Sequence, residues 1–182
     1  MTALEKAVVR SEIPEFRSRP LADSRCPKDH RTMVTLEEIS NNNIHAVLAL
    51  EVLDTQKASY PRSNAYSIAE GLFPSNDDPV WMRAICKDGK PIGFMMTSEV
   101  PEDGDYFLWR MMIDGRHQGR GYGIEAMRLL IKRIKDNDNP NVLLLSHLKA
   151  NADAGKFYES LGFSYTGNDL GNGDLEMSLR FD

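Results

Sequence analysis

Apolar and polar positions change their spacing several times along the chain, and each change marks a predicted element. Met33-Val34-Thr35-Leu36 reads as a short strand. From Asn41 to Asp54 the apolar residues Ile44, Val47, Leu48, Leu50 and Val52 have the spacing of a helix with one buried face. Asn64 to Leu72 is a shorter helix that stops at Gly71 and Pro74. Val80–Cys86 and Ile92–Val100 read as strands joined by Lys87-Asp88-Gly89-Lys90, where Asp-Gly signals a tight hairpin. Pro101-Glu102-Asp103-Gly104 turns the chain into a third strand, Tyr106–Ile113. A long helix follows, with Ile124, Met127, Leu130, Ile131 and Ile134 on one face, until Asn139-Pro140 stops it. Val142–Leu148 is an apolar run of the kind found in a strand covered on both faces. Ala152–Leu161 reads as a last helix, and Phe163–Thr166 and Leu175–Leu179 as a closing pair of strands. The order predicts an α/β (α+β) fold with a mixed, mostly antiparallel central sheet of about six to seven strands and about four flanking helices.

Composition narrows the function classes. With 182 residues and 41% hydrophobic content, the chain has enough for one domain with a real core. Residues 1–31 carry three prolines, twelve charged residues and little periodicity, so they read as a flexible extension ahead of a folded domain at 32–182. A net charge of −5 speaks against non-specific nucleic-acid binding, which needs clustered Lys and Arg. The charge is uneven, +2 over residues 1–32 and −7 over the rest. That field favours a cationic substrate, or else it serves only solubility.

Two cysteines, Cys26 and Cys86, make neither a disulfide framework nor a metal-ligand spacing, so no metal is expected. The sequence has no apolar run long enough for a membrane-spanning helix and no secretory leader at its start. Glu5, Glu12 and Glu15 are out of place in a mitochondrial presequence. A cytoplasmic protein with no membrane partner is the expectation.

The most informative segment is Met111 to Gly123, a strand end, a glycine-rich turn and a helix start. The first turn of a helix leaves backbone N–H groups unpaired and carries about half a positive charge, so a diphosphate fits there. Glycines let the backbone come close to the phosphates, and Arg116 and Arg120 stand ready at the rim. No Gly-Lys-Ser/Thr follows, and the glycines do not keep the dinucleotide-binding spacing. An ordinary strand-to-helix turn would look similar.

Gln118-Gly119-Arg120-Gly121-Tyr122-Gly123 resembles the Q/R-x-x-G-x-G/A loop of the GNAT superfamily of acyl-CoA N-acyltransferases. Some thirty residues on, Asn151-Ala152-Asp153-Ala154-Gly155-Lys156-Phe157-Tyr158-Glu159-Ser160-Leu161-Gly162-Phe163 is similar to that family's second block. Ser59-Tyr60, Gly93 to Met96, Leu108 to Asp114 and Leu170 to Gly173 look more narrowly like the bacterial spermine/spermidine acetyltransferase subgroup. The resemblance covers Met33 to about Phe181.

The resemblance implies an acetyl-CoA-dependent N-acetyltransferase that releases CoA as product. It implies two central strands splayed around the pantetheine arm, with the backbone of Met112 and Ile113 pairing to its amides. The N–H near Met112 would point at the thioester oxygen. Gln118, Gly119, Arg120, Gly121, Tyr122 and Gly123 would hold the pyrophosphate, and Asn151, Ala154 and Tyr158 would flank the arm. Tyr158 stands where the family carries its general acid, and a phenol with a pKa of roughly 10 suits a thiolate leaving group. Packing of the helix onto the sheet is the plainer role for that ring, as capping is for Asn151.

No general base stands out. His117 lies in the phosphate loop, His147 ends the central strand, where structural histidines are common, and a water relay to Glu99 is an equal option.

For the amine, the expected acceptor is a small polyamine such as spermidine or spermine. Ser59, Tyr60, Trp109 and Glu99 are the substrate-side candidates, with Trp81 as a further apolar wall and Glu37, Glu38, Glu51, Asp54, Glu102, Asp103 and Asp105 as further carboxylates. Acetylation of a protein, peptide or aminoglycoside-like amine, and a silent acyl-CoA-binding domain, are the alternatives. Dimers are common in the family, so a homodimer is an option, though no interface is legible in the residues.

Overall fold

A computed structural model describes residues 34–58, 62–74, 78–100, 103–136, 140–169 and 173–181. The expected N-terminal extension, Ser59, Tyr60 and the 170–172 part of the subgroup match lie outside these residues. The elements are β1 (Val34–Glu37), α1 (Ile44–Leu48), a 3-10 turn (Asp54–Gln56), α2 (Asn64–Leu72), β2 (Val80–Lys87), β3 (Lys90–Val100) and β4 (Asp105–Ile113). A second 3-10 turn (Gly115–His117), α3 (Tyr122–Lys135), β5 (Val142–Leu148), α4 (Ala152–Glu159), β6 (Ser164–Asp169) and β7 (Asp174–Arg180) complete them. The seven strands form one sheet in the order β1-β2-β3-β4-β5-β7-β6, antiparallel throughout except for β4 beside β5.

Strand alternation divides the core in two. On β3, Ile92 and Met95 join Met127, Leu130 and Ile134 of α3, with Leu143, Leu145 and Met177, in one buried cluster. Phe94 and Met96 join Val47, Ala84, Cys86 and Met112 in the other, against which Ile68 of α2 packs. Successive side chains point to opposite faces of a strand, so a single strand feeds both layers. Each fully buried large side chain contributes roughly 1.5–3 kcal/mol relative to exposure. The β2–β3 hairpin turns as expected through Asp88 (φ 50°) and Gly89 (φ 73°), both left-handed as a two-residue turn requires.

The first helix is a correction. Periodicity predicted a helix from 41 to 54, but α1 spans five residues. Beyond it the chain is held by a distant loop: Glu51 N–H donates to Asp114 Oδ2 (3.2 Å), and Glu51 O accepts from Gly115 N–H (2.8 Å). Backbone groups bonded across 63 residues are lost to an i→i−4 ladder. That contact draws the segment after α1 against the end of β4.

Candidate active site

β4 and β5 are hydrogen-bonded only over Asp105–Leu108 and Val142–Leu145. Beyond these residues β4 stays with β3 as far as Ile113, while β5 stays with β7 as far as Leu148. The sheet therefore opens between its two parallel strands. A cleft of about 520 Å³ occupies the opening, reached by Met111, Gln118, Gly121, Asn151 and Tyr158 among others.

The amides that face this opening follow from register. Asp114 N–H donates to Ile92 O (2.9 Å), and counting by two along the ladder makes Phe94–Met112 the next hydrogen-bonded pair. Met112 thus turns its N–H toward β3, away from the cleft, and its side chain is buried in the helix α1/α2 layer. Met111 and Ile113 present their backbone groups to the open side. Ile113 O accordingly accepts from Gln118 Nε2 at 2.8 Å. Met112 N–H, expected to point at a thioester oxygen, therefore points into the sheet, and strand alternation turns the N–H of Met111 toward the opening instead.

At the mouth of the cleft, α3 begins without a side-chain cap. Its first intrahelical bond is Glu125 N–H to Gly121 O, so the N–H groups of residues 122–124 precede the ladder. Gly119 (φ 72°) and Gly121 (φ 82°) hold left-handed conformations that curl the loop over this end, and a Cβ at either would project into open space. Arg120 is exposed and does not border the cleft. Arg116, also expected at the phosphates, turns back on Asp114 through Nε–Oδ1 (2.8 Å) and Nη2–Oδ2 (2.9 Å). The Arg116 side chain, with the backbone N–H groups of Arg116 and Glu51, holds the buried Asp114 carboxyl well below the usual carboxylate range against the opposing effect of burial.

α4 forms the far wall. Asn151 caps it, its Oδ1 accepting from Ala154 N–H at 3.3 Å, and Ala154 and Tyr158 line the cleft one turn apart. The Tyr158 ring is fixed edge-on between Phe157 (5.0 Å) and Phe163 (5.7 Å).

A second cavity of about 380 Å³ shares Met111, Asn151, Ala154 and Tyr158 with the first. Trp109, one of the substrate-side candidates, lines it. A bulge in β4 is the cause: Met96 pairs with Arg110 and Thr97 with Leu108, leaving Trp109 as the extra residue. Trp109 packs on the α1/α2 layer, and Arg110 reaches Glu70 of α2 at 3.1 Å.

Glu99 is not brought to either cavity. Its buried carboxylate is bidentate to Arg133 of α3 (2.7 and 3.0 Å) and accepts from Thr97 Oγ1 (2.7 Å). The substrate and base roles expected for it are corrected to a structural ion pair. Trp81 is likewise taken, lying within 4.7 Å of the Arg83 guanidinium and 4.2 Å of that of Arg133. Glu38 pairs with Arg83, and Glu51 and Asp54 with Lys57.

His117 borders the first cleft, its Nδ1 3.5 Å from Asp114. His147 borders the second cavity with both ring nitrogens engaged. Its Nδ1 faces Leu148 O (2.9 Å), which can only accept, so Nδ1 carries a proton, and its Nε2 lies 3.2 Å from Tyr165 OH. Gly155 makes this possible, since a Cβ there would collide with Tyr165 Oη. Burial pushes the Cys86 thiol up to about 12, so this cysteine packs rather than reacts. Sequence reasoning missed Arg62, Arg110 and Asp174 at the second cavity. Only the bulge and the β5–β7 register bring Arg110 and Asp174 there.

The chain belongs to the acetyltransferase (GNAT) family, whose model matches residues 44–163. It is similar to the spermine/spermidine N(1)-acetyltransferase of Bacillus subtilis strain 168, with 27% identity over 150 residues that cover 79% of this chain and 96% of the relative. Among solved structures, the PaiA N-acetyltransferase of Thermoplasma acidophilum in complex with coenzyme A aligns with a TM-score of 0.62 at 16% identity, covering 82% of this chain and 99% of the other. The ribosomal-protein-S18-alanine N-acetyltransferase of Escherichia coli aligns with a TM-score of 0.61 at 19% identity, covering 81% and 94%. These structures share the fold. The protein is an acetyl-CoA-dependent N-acetyltransferase. No helix among the described residues is long and apolar enough to cross a membrane.

Proposed function

We propose that this protein acetylates a primary amine of a small molecule, with polyamines such as spermidine and spermine as the acceptor class, by direct attack while donor and acceptor are both bound. The observation that carries this reading is the meeting of two cavities at Met111 and Tyr158. One has the shape and donors for acetyl-CoA. The other gives an amine a separate approach. The polyamine class rests on the name of the Bacillus subtilis relative and on the acidic balance of residues 33–182.

The residues present fit the cofactor. An uncapped helix start and two left-handed glycines with open space above them suit a diphosphate. The backbone edge of Met111 and Ile113, beyond the reach of a partner strand, suits amide groups that lie down like a strand. When bound, acetyl-CoA supplies an acetyl group activated as a thioester. Met111 N–H is the amide placed to stabilise negative charge on the acyl oxygen, a contribution of about 2.7–4 kcal/mol where such donors have been removed. Tyr158 Oη is the proton donor for the departing sulfur. Asn151, with its oxygen spent on the helix cap, keeps its Nδ2 for the arm.

The test is thiol release by the purified protein with acetyl-CoA and a panel of spermidine, spermine, simple alkylamines, aminoglycosides and peptides. Turnover concentrated on the polyamines supports the proposal. CoA binding by calorimetry without turnover on any amine would replace it with a silent acyl-CoA-binding domain.

A further inference from the structure

The second cavity meets the first at Tyr158, and its charged side chains are the ones an acceptor entering there would face. Besides Tyr158, four charged or titratable side chains among the described residues line it: Arg62, Arg110, His147 and Asp174. Two are already committed. Arg110 spends one nitrogen on Trp109 O (2.8 Å) and another on Glu70 (3.1 Å), and both nitrogens of His147 are bonded. Arg62 stacks over the Tyr66 ring, 4.3 Å from its centroid, and is exposed. The side chain of the half-buried Asp174 makes no hydrogen bond or ion pair with the described residues. It opens β7 directly across from Leu148, at the end of β5 that parts from β4.

A carboxylate partly withdrawn from water and left without a donor is a poor arrangement for stability alone. It suits a site that receives a cation. That cation is not the reacting nitrogen, since a carboxylate paired to it would hold on the proton that must leave before attack. A second ammonium on the same acceptor meets the requirement, with the Trp109 ring beside the methylenes between them.

We infer that Asp174 is the specificity residue for the acceptor: it binds a non-reacting ammonium and so selects diamines and polyamines over monoamines. The assignment rests on the acetyl-transfer reading above. Arg62 bears a like charge in the same cavity and works against a polycation.

The experiment is steady-state kinetics of the full chain with acetyl-CoA, using spermidine and propylamine as acceptors. Asp174→Asn should raise KM for spermidine on the order of 10- to 100-fold, the size of a lost charged hydrogen bond, and leave kcat/KM for propylamine unchanged. Asp174→Glu should recover part of the loss. Arg62→Gln should lower KM for spermidine, a movement opposite in sign to any general loss of structure. Unchanged spermidine KM in Asp174→Asn, or an equal loss on both amines, overturns the inference while acetyl transfer itself stands. Absence of turnover by the unaltered protein on every amine, with CoA bound, removes both.

Discussion

Asp114 and Arg116 are joined by two parallel bonds, Nε–Oδ1 at 2.8 Å and Nη2–Oδ2 at 2.9 Å, two residues apart at the exit of β4. The same carboxylate accepts from the backbone of Arg116 (3.0 Å) and of Glu51 (3.2 Å), so one buried side chain ties the glycine-rich loop to the segment after α1.

Replacing it should therefore cost stability first. Asp114→Asn is expected to destabilise by about 1–3 kcal/mol, with the Arg116 side chain exposed enough for salt to weaken its share. The carboxyl titrates lower in the folded chain than the ordinary value of about 3.9, so its stabilisation is complete above that pH and is lost as pH falls toward the depressed folded value. The difference in Tm between wild type and variant should stay constant from pH 7 to roughly pH 5 and shrink in stronger acid. Calorimetric melts across that range check the sign.

Gly121 stands at φ 82° with open space where a Cβ would go. Gly121→Ala should keep the fold, store roughly 1–2 kcal/mol of backbone strain, and weaken CoA binding by about tenfold as the helix-start amides rotate. Gly93→Ala differs in kind: its Cβ would lie 2.5 Å from Met112 O, so β4 must move and melting temperature should fall sharply. CoA titrations and melts of both variants separate the two effects.

Tyr158→Phe keeps the ring that packs between Phe157 and Phe163 and removes only the hydroxyl. Turnover should drop on the order of 10²-fold with CoA affinity nearly intact. A variant as fast as the wild type would leave Tyr158 with packing alone.

Glu99→Gln tests the corrected assignment. Loss of the bidentate pair to Arg133 should lower stability by about 1–3 kcal/mol, roughly 2–4 °C per kcal/mol for a chain of this size. Acetyl transfer at a temperature where the variant is folded should be unchanged. A fall in kcat there would return Glu99 to the chemistry.

The sequence by itself determined the order of elements, the hairpin at Asp88-Gly89, the glycine-rich cradle and the cap at Asn151, because each depends on neighbours a few residues away. Strand alternation, turn chemistry and capping are set by such neighbours. Only the folded structure decided that the first helix stops at Leu48, since Asp114 and Gly115 claim its continuing backbone from 63 residues on. Only the ladder register decided that Met111, not Met112, faces the opening, because a shift of one residue reverses every direction in a strand. The fate of the acidic residues was equally hidden: Glu99 met Arg133 and Asp174 met the second cavity through packing between elements far apart in the chain. A carboxylate's role is set by the charge it meets, and a linear sequence does not say which charge that will be.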